Sequence, residues 1–300
     1  MKKVLVTGAN GFIGRSIVPL LMKKGMEVHC IDIKSPEESI PGVCWHQVNL
    51  MDSEKMLKLM LDIKPTHLLH FAWFAVPCEY WTSPENIHWV QASLALLQRF
   101  VQCGGQRVVM AGTCAEYDWN YGYCSEDLTP LKPATLYGVC KHSLQMMLSA
   151  FSLQMGLSFA WGRIFFLYGP YEHPDRLVPS VVRSLLKGTT AKCSHGEQLR
   201  DFLHVQDVAS AFVSILESEV CGPVNIGSGN PIKIKDMALM IGEKIGRGDL
   251  IALDAIPVGP NDPVLLLPNI HKLHHEIGWK PTYTISTGLS DTIEWWRCQE

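Results

Sequence analysis

Residues 2–32 leave this chain few ways to fold. Lys3-Val4-Leu5-Val6-Thr7 has the β-branched, unbroken apolarity of a strand buried on both faces. Gly8-Ala9-Asn10-Gly11-Phe12-Ile13-Gly14 interrupts it. Ile13, Ile17, Leu20 and Leu21 then recur at helical spacing, with Gly25 where a helix C-cap belongs. Met26 to Ile31 is strand-like again, and Asp32 closes it. A strand, a glycine turn and a helix in this order build an anion site. Glycines let the backbone approach a pyrophosphate, and the free N–H groups and dipole of the new helix favour its charge. Asp32 stands where a carboxylate can accept hydrogen bonds from an adenosine ribose. Two residues separate the glycines at each step, unlike the G-x-G-x-x-G pattern. Their place between the right elements, at the right distance from Asp32, separates them from an ordinary tight turn.

The alternation continues along the chain. A short strand is expected near Trp45 to Val48, and Asp52 or Ser53 can cap a helix carrying Met56, Leu57, Leu59 and Met60. Thr66 to Ala72 and Arg107 to Ala111 read as strands, and a long helix starts at Pro84-Glu85 and reaches Cys103. A long loop runs to Pro133, a third long helix covers about 134–155, and a strand follows at Ser158 to Phe165. The predicted class is α/β: a doubly wound parallel sheet with helices on both faces. Beyond Tyr168-Gly169-Pro170 the elements shorten, with helices expected at 177–186, 205–217, 235–245 and 284–296. We therefore expect a dinucleotide-binding domain over 1–165, a smaller mixed α/β substrate lobe over 166–300, and a return of about 205–220 to the first domain.

Composition excludes some partners. A net charge of −3 with no basic block argues against nucleic acid and membrane surfaces, and no run approaches the ~18 apolar residues of a membrane span. Ten cysteines without a C-x-x-C pair suit reduced thiols in a cytoplasm. His271, His274 and His275 have helical spacing but no acidic or cysteine companion, so they are read as a solvated face and no metal site is expected.

Tyr137 and Lys141 lie one turn apart on the third long helix and point the same way. A neighbouring ammonium is expected to lower the phenol pKa from its reference near ~10, making a proton donor and acceptor for neutral pH. Thr113 sits just beyond the strand Arg107 to Ala111, at the sheet end where the ligand crevice of such folds opens. Together with the glycine loop, these residues resemble the extended short-chain dehydrogenase/reductase family, and within it the nucleotide-sugar epimerase/dehydratase/ketoreductase branch. The similarity extends through His70-Phe71-Ala72, Arg163, Tyr168-Gly169-Pro170, Arg200-Asp201-Phe202, Asn225-Ile226-Gly227 and Gly278-Trp279.

The resemblance implies that Tyr137 is the acid/base, that Lys141 binds the nicotinamide ribose and tunes Tyr137, and that Thr113 hydrogen-bonds the reacting oxygen. It implies a cofactor site at Gly8, Asn10, Gly11, Phe12, Ile13, Gly14, Asp32, Asp52, Phe71 and Ala72, and substrate contacts at Arg176 and Arg200. NAD is the expected cofactor because Asp32 repels a 2′-phosphate, while Lys34 leaves NADPH open. Helices about 84–103 and 134–155 would pair in a homodimer.

Departures from the family pattern choose the reaction. Dehydratases of the branch carry Asp-Glu after the threonine, where this chain has Cys114-Ala115, so dehydration is not expected. Two chemistries need only Thr113, Tyr137, Lys141 and the nicotinamide. The first choice is reduction of the C4 ketone of a nucleotide-linked deoxyhexulose, favoured by a short substrate lobe and by Phe166 in place of a substrate-contacting Asn. The alternative is 4-epimerisation with tightly held NAD, and the second alternative a catalytically silent dinucleotide sensor. Trp73, Trp81 and Trp89 crowd the stretch after His70, as a sugar pocket or as ordinary packing. No basic residue stands near Gly259-Pro260-Asn261-Asp262, where one often serves phosphate binding.

Overall fold

The computed structural model describes residues 2–36, 40–259 and 262–300. The chain begins β1 (Lys3–Thr7), α1 (Gly14–Lys23), β2 (Glu27–Asp32), β3 (Cys44–Gln47), α2 (Ser53–Ile63), β4 (His67–His70), α3 (Glu85–Gln102), β5 (Arg107–Thr113) and α4 (Leu136–Met155). With the strands Ser158–Ile164 and Gly222–Ile226, the five labelled strands form one seven-stranded sheet, parallel at every pairing. From one edge its order is Gly222–Ile226, Ser158–Ile164, β5, β4, β1, β2, β3. The chain winds outward from β1 to β3, then returns to β4 and winds the other way. The crevice of a doubly wound sheet opens at that reversal, above the carboxyl ends of β1 and β4.

Strand alternation decides which helix packs where. Val4 and Val6 of β1 face a cluster with Ile17, Val18 and Leu21 of α1 and with Val208, Phe212 and Ile215 of α6 (Val205–Glu217). Leu5, one residue out of phase, faces the opposite cluster with Met56 and Met60 of α2, Leu96 and Phe100 of α3, and Leu144 and Leu148 of α4. All of these side chains are at most 2 % exposed. Each sheet face is thereby closed, which explains the near-continuous apolar character of the strands.

Two features differ from the sequence reading. That reading assigns no strand to Gly222–Ile226, yet this segment is the edge of the main sheet. Its Gly222-Pro223 opening hides the signal, and a proline fits an edge strand, which has one unpaired side. The loop after β5 is also less irregular than expected, with short helical turns at Cys114–Glu116 and Trp119–Tyr121. The rest of the chain builds a smaller mixed sheet in the order Pro231–Lys233, Leu199–His204, Leu265–Pro268, Tyr123–Cys124, with Phe166–Tyr168 also paired to Leu199–His204. α5 (Leu177–Leu186), α7 (Ile234–Ile245) and α8 (Ile285–Arg297) pack on it around Val182, Ile241 and Leu289. No helix among the described residues is long and apolar enough to cross a membrane.

Candidate active site

The glycine loop is built for close approach. Gly8 has φ +67°, and a Cβ there would lie 2.7 Å from the Ala72 backbone nitrogen. A Cβ on Gly14 would meet the Gly8 carbonyl oxygen at 2.1 Å. The Gly11 N–H donates to that oxygen at 3.0 Å and closes the turn. α1 then begins with no side-chain cap and no acid in its first turn, so the positive end of its dipole faces the loop without a protein counter-charge. The Arg15, Ser16 and Ile17 N–H groups donate to the Gly11 and Ile13 carbonyls. Asp32 accepts the Asn10 N–H at 3.0 Å and the Ile33 N–H at 2.8 Å, which fixes its carboxylate at the rim of the loop.

A cavity of about 800 Å³ lies over these groups, lined by Gly8, Asn10, Gly11, Asp32, Lys34, Phe71, Ala72 and Trp73, among others. Its size, the glycine cradle and the rim carboxylate fit a dinucleotide. Gly14 is buried behind the loop, and Phe12 and Ile13 lead into α1 without lining the cavity. Asp52 too stays off the cavity lining; its carboxylate caps α2, accepting the Lys55 N–H at 3.1 Å and pairing with Lys55 Nζ at 2.9 Å.

α4, capped by the Thr135 side chain on the Gly138 N–H, carries Tyr137 and Lys141. The structure sets Thr113 beside Tyr137, close enough to act on its phenol. The expected effect of lysine on tyrosine is not observed. Lys141 is 5 % exposed, its ammonium donates to the Ala111 carbonyl oxygen at 2.9 Å, and it sits 3.7 Å from the Trp73 ring centroid. Burial pulls its pKa down to about 7, with Glu116 acting the other way. Burial pushes the Tyr137 phenol above its ordinary range, Tyr80 adds to that, and the Thr113 hydrogen bond opposes it. The ammonium is directed at a carbonyl and an indole face, and desolvation dominates both groups.

Aromatic rings enclose the phenol. Tyr80, Trp81 and Trp73 meet the Tyr137 ring edge-on at centroid distances of 4.8, 5.8 and 6.4 Å. The Trp81 carbonyl accepts the Tyr137 N–H at 3.1 Å. Trp73 lines the cavity on one side and covers Lys141 on the other, its indole N–H held by Asn86 at 2.9 Å. Trp89 tilts against Trp73 at 6.2 Å and shares the lining. Tyr80 is absent from the sequence reading, since nothing local marks it.

Arg176 reaches the same place from the smaller sheet's side of the molecule, its guanidinium 5.3 Å from the Tyr80 ring centroid. Arg200, the other arginine expected at the substrate, lies buried. It is 1 % exposed and committed to internal acceptors, the Asp262 carboxylate, the Pro263 carbonyl at 2.7 Å and the Leu199 carbonyl at 2.8 Å. Pro260 and Asn261 of the segment singled out in the sequence lie outside the described residues. Cys114 is buried with its thiol pushed up by desolvation, in keeping with a packing role. Of the three histidines, His271 and His275 are exposed and face each other at 4.6 Å, while His274 turns inward beside Trp279 at 6.1 Å, so the face is only partly solvated.

A second residue that the sequence reading passes over is Glu116, fully enclosed next to Thr113. The signal is present: Thr113-Cys114-Ala115-Glu116 has the S/T-x-x-E spacing of a capping box, and the structure forms that box.

Comparison with known proteins agrees with this geometry. The model of the NAD dependent epimerase/dehydratase family matches residues 4–227. UDP-glucuronic acid decarboxylase 1 of Xenopus tropicalis is 27 % identical over 312 residues, covering 99 % of this chain and 72 % of that protein. The UDP-N-acetylglucosamine 4-epimerase of Methanobrevibacter ruminantium, solved with UDP-N-acetylmuramic acid, superposes with a TM-score of 0.91 at 25 % identity, over 100 % of this chain and 99 % of the other. The UDP-glucose 4-epimerase of Thermus thermophilus, solved with NAD, gives 0.85 at 26 % identity over 98 % and 99 % of the two chains. This chain belongs to the NAD dependent epimerase/dehydratase family. Its cofactor is NAD.

Proposed function

We propose that the protein is an NAD-dependent oxidoreductase of nucleotide sugars whose net reaction reduces a C4 ketone on a nucleotide-linked deoxyhexulose. Its relatives named above act on UDP-sugars by name, and the dinucleotide cavity lies beside the Thr113–Tyr137–Lys141 trio. The observation that carries the choice is the enclosure of Tyr137 by the rings of Tyr80, Trp81 and Trp73, whose desolvation favours the protonated phenol. A reductase needs a proton donor there at the start of turnover. In this reading the bound nicotinamide supplies the hydride. Thr113 donates a hydrogen bond to the C4 oxygen, Tyr137 delivers the proton, and Lys141 positions the ribose. Arg176, between Tyr80 and the smaller lobe, is the candidate for the diphosphate. Asp32 favours NADH over NADPH.

Dehydration finds no support, because both oxygens of Glu116 are bonded inside the protein and the two positions directly after Thr113 are Cys114 and Ala115. A second reading, 4-epimerisation, is favoured by the two 4-epimerases named above. An epimerase must present both faces of its ketone, and the three rings around Tyr137 speak against the room for that turn. The reading also divides the labour of the chain, with dinucleotide on 1–165 and the sugar nucleotide on 166–300. Exposed Ile87 on α3 and Val139, Met146, Met147 and Leu153 on α4 support homodimer pairing. Ten unpaired cysteines support a reducing compartment such as the cytoplasm.

The test is a panel of nucleotide-4-ketosugars incubated with NADH or NADPH while coenzyme absorbance is followed. Stoichiometric NADH oxidation is expected. Interconversion of sugar isomers with no net oxidation, and NAD co-purifying with the protein, would establish the epimerase instead.

A further inference from the structure

The dinucleotide cavity stops short of the groups that must use its occupant. Trp73 lines it, together with Phe71, Ala72 and Trp89, whereas Thr113, Tyr137 and Lys141 do not. The Lys141 ammonium lies against the Trp73 ring, 3.7 Å from its centroid. Heavy atoms in contact stand about 3.5–4 Å apart, so no group fits between the two. On its other sides the ammonium meets the Ala111 carbonyl oxygen at 2.9 Å and, at 5.9 Å, the centroid of the Trp161 ring. With only 5 % of Lys141 exposed, the indole closes the way from the cavity to the ammonium. The ring is also anchored there. Its N–H donates to the Asn86 side-chain oxygen at 2.9 Å, and fully buried Asn86 is fixed in turn by donating to the Tyr80 and Ser83 carbonyls at 2.7 and 2.8 Å. One bond from the first turn of α3 and one cation on its face therefore set the place of Trp73.

We propose that Trp73 is a shutter that sets cofactor affinity: the cofactor ribose reaches Lys141 only after the indole has left the ammonium, so the dinucleotide is an exchangeable co-substrate. This rests on the reading in which Lys141 positions that ribose, whereas access to the ammonium can be measured without any sugar. A binding site that is competent only while the ring is away binds more weakly by that fraction of time. A ring that never moves predicts the opposite sign. Removing it would then take away a surface on which the cofactor rests, and affinity would fall.

Trp73→Ala and Trp73→Leu both remove the indole, and either carries the test should the other fold poorly by circular dichroism. Isothermal titration is expected to give an NADH Kd about tenfold or more tighter than wild type. In cofactor-free protein, acetylation of Lys141 by acetic anhydride, followed by peptide mass spectrometry, is expected about tenfold or more faster than in wild type, and saturating NADH should slow it again. Trp73→Phe keeps a ring over the ammonium and should stay within about threefold of wild type in labelling, which separates cover from general loosening. An NADH Kd that is unchanged or weaker in a folded Ala or Leu variant overturns the proposal. So does an unchanged labelling rate there, or a Phe variant that labels as fast as the Ala variant. Wild type that oxidises NADH with no 4-ketosugar would instead sink the functional reading, and both measurements on Trp73 would still decide this one.

Discussion

Lys141→Met should make the protein more stable while disabling it. The side chain is 5 % exposed, so folding strips its ammonium of water. Its pKa falls from the ordinary 10.5 to about 7; at about 1.4 kcal/mol per pH unit, that amounts to about 5 kcal/mol against folding. Methionine keeps the unbranched stem and removes the charge. It also gives up the hydrogen bond to Ala111 O and the contact with the Trp73 face, about 1 kcal/mol each. The expected net gain is about 3 kcal/mol, or about 5 °C or more in Tm for a chain of this size. The sign with pH follows from proton counts. Between about 7 and 10.5 the unfolded chain binds a proton that the folded chain lacks, so wild-type stability rises with pH across that window. The variant's advantage is therefore full below pH 7, shrinks through the window and is gone by 10.5. Calorimetry on both proteins at pH 6 and pH 10 measures it. A variant that melts below wild type at pH 6, or whose advantage does not shrink by pH 10, would refute the burial argument and leave Lys141 as an ordinary solvated cation.

Other perturbations read other parts of the site. Asp32→Ser should raise the NADH Kd about tenfold, about 1.4 kcal/mol, and move the preference toward NADPH by a similar factor; fluorescence titrations giving an unchanged preference count against Asp32 as the discriminator. Tyr137→Phe should lower turnover about a hundredfold or more while the NADH Kd stays within about threefold, because only the proton donor is lost; full activity in that variant removes the phenol from the mechanism. Met146→Glu with Leu153→Glu places two charges on the exposed face of α4, and light scattering should then give the 33.6 kDa mass of one chain where wild type gives twice that. A wild-type mass already at one chain ends the dimer proposal.

The parts of this molecule that are legible in its sequence are those set by neighbouring residues. The glycine loop, the alternation of strands and helices and the shared face of Tyr137 and Lys141 all follow from spacing within one or two elements. The strand Gly222–Ile226 is not legible, because its pairing with Ser158–Ile164 depends on a partner far away in the chain and its own opening is Gly-Pro. Asp52 and Arg200 receive ligand roles by resemblance, and in the structure local partners take their charges: the first turn of α2 for one, Asp262 and two carbonyls for the other. Glu116 could have been found from its capping-box spacing. Tyr80 could not, since its approach to Tyr137 is made by a connecting segment between β4 and α3.

The sign of the coupling between Tyr137 and Lys141 is where spacing stops being informative. Placing two side chains one helical turn apart fixes their separation, but the influence of an ammonium on a phenol also depends on whether the ammonium stays charged and where it points. Both are decided by Trp73, Trp161 and the Ala111 carbonyl, which come from the segment after β4, a neighbouring strand and β5. In that surrounding, desolvation favours the neutral form of each group, raising the phenol and lowering the amine. A protonated phenol is suited to giving its proton to an oxygen that is gaining charge, as in ketone reduction. It is a poor start for a reaction that must first take a proton from a hydroxyl, as the oxidative half of an epimerisation does. The same burial leaves the phenol better suited to giving a proton than to taking one.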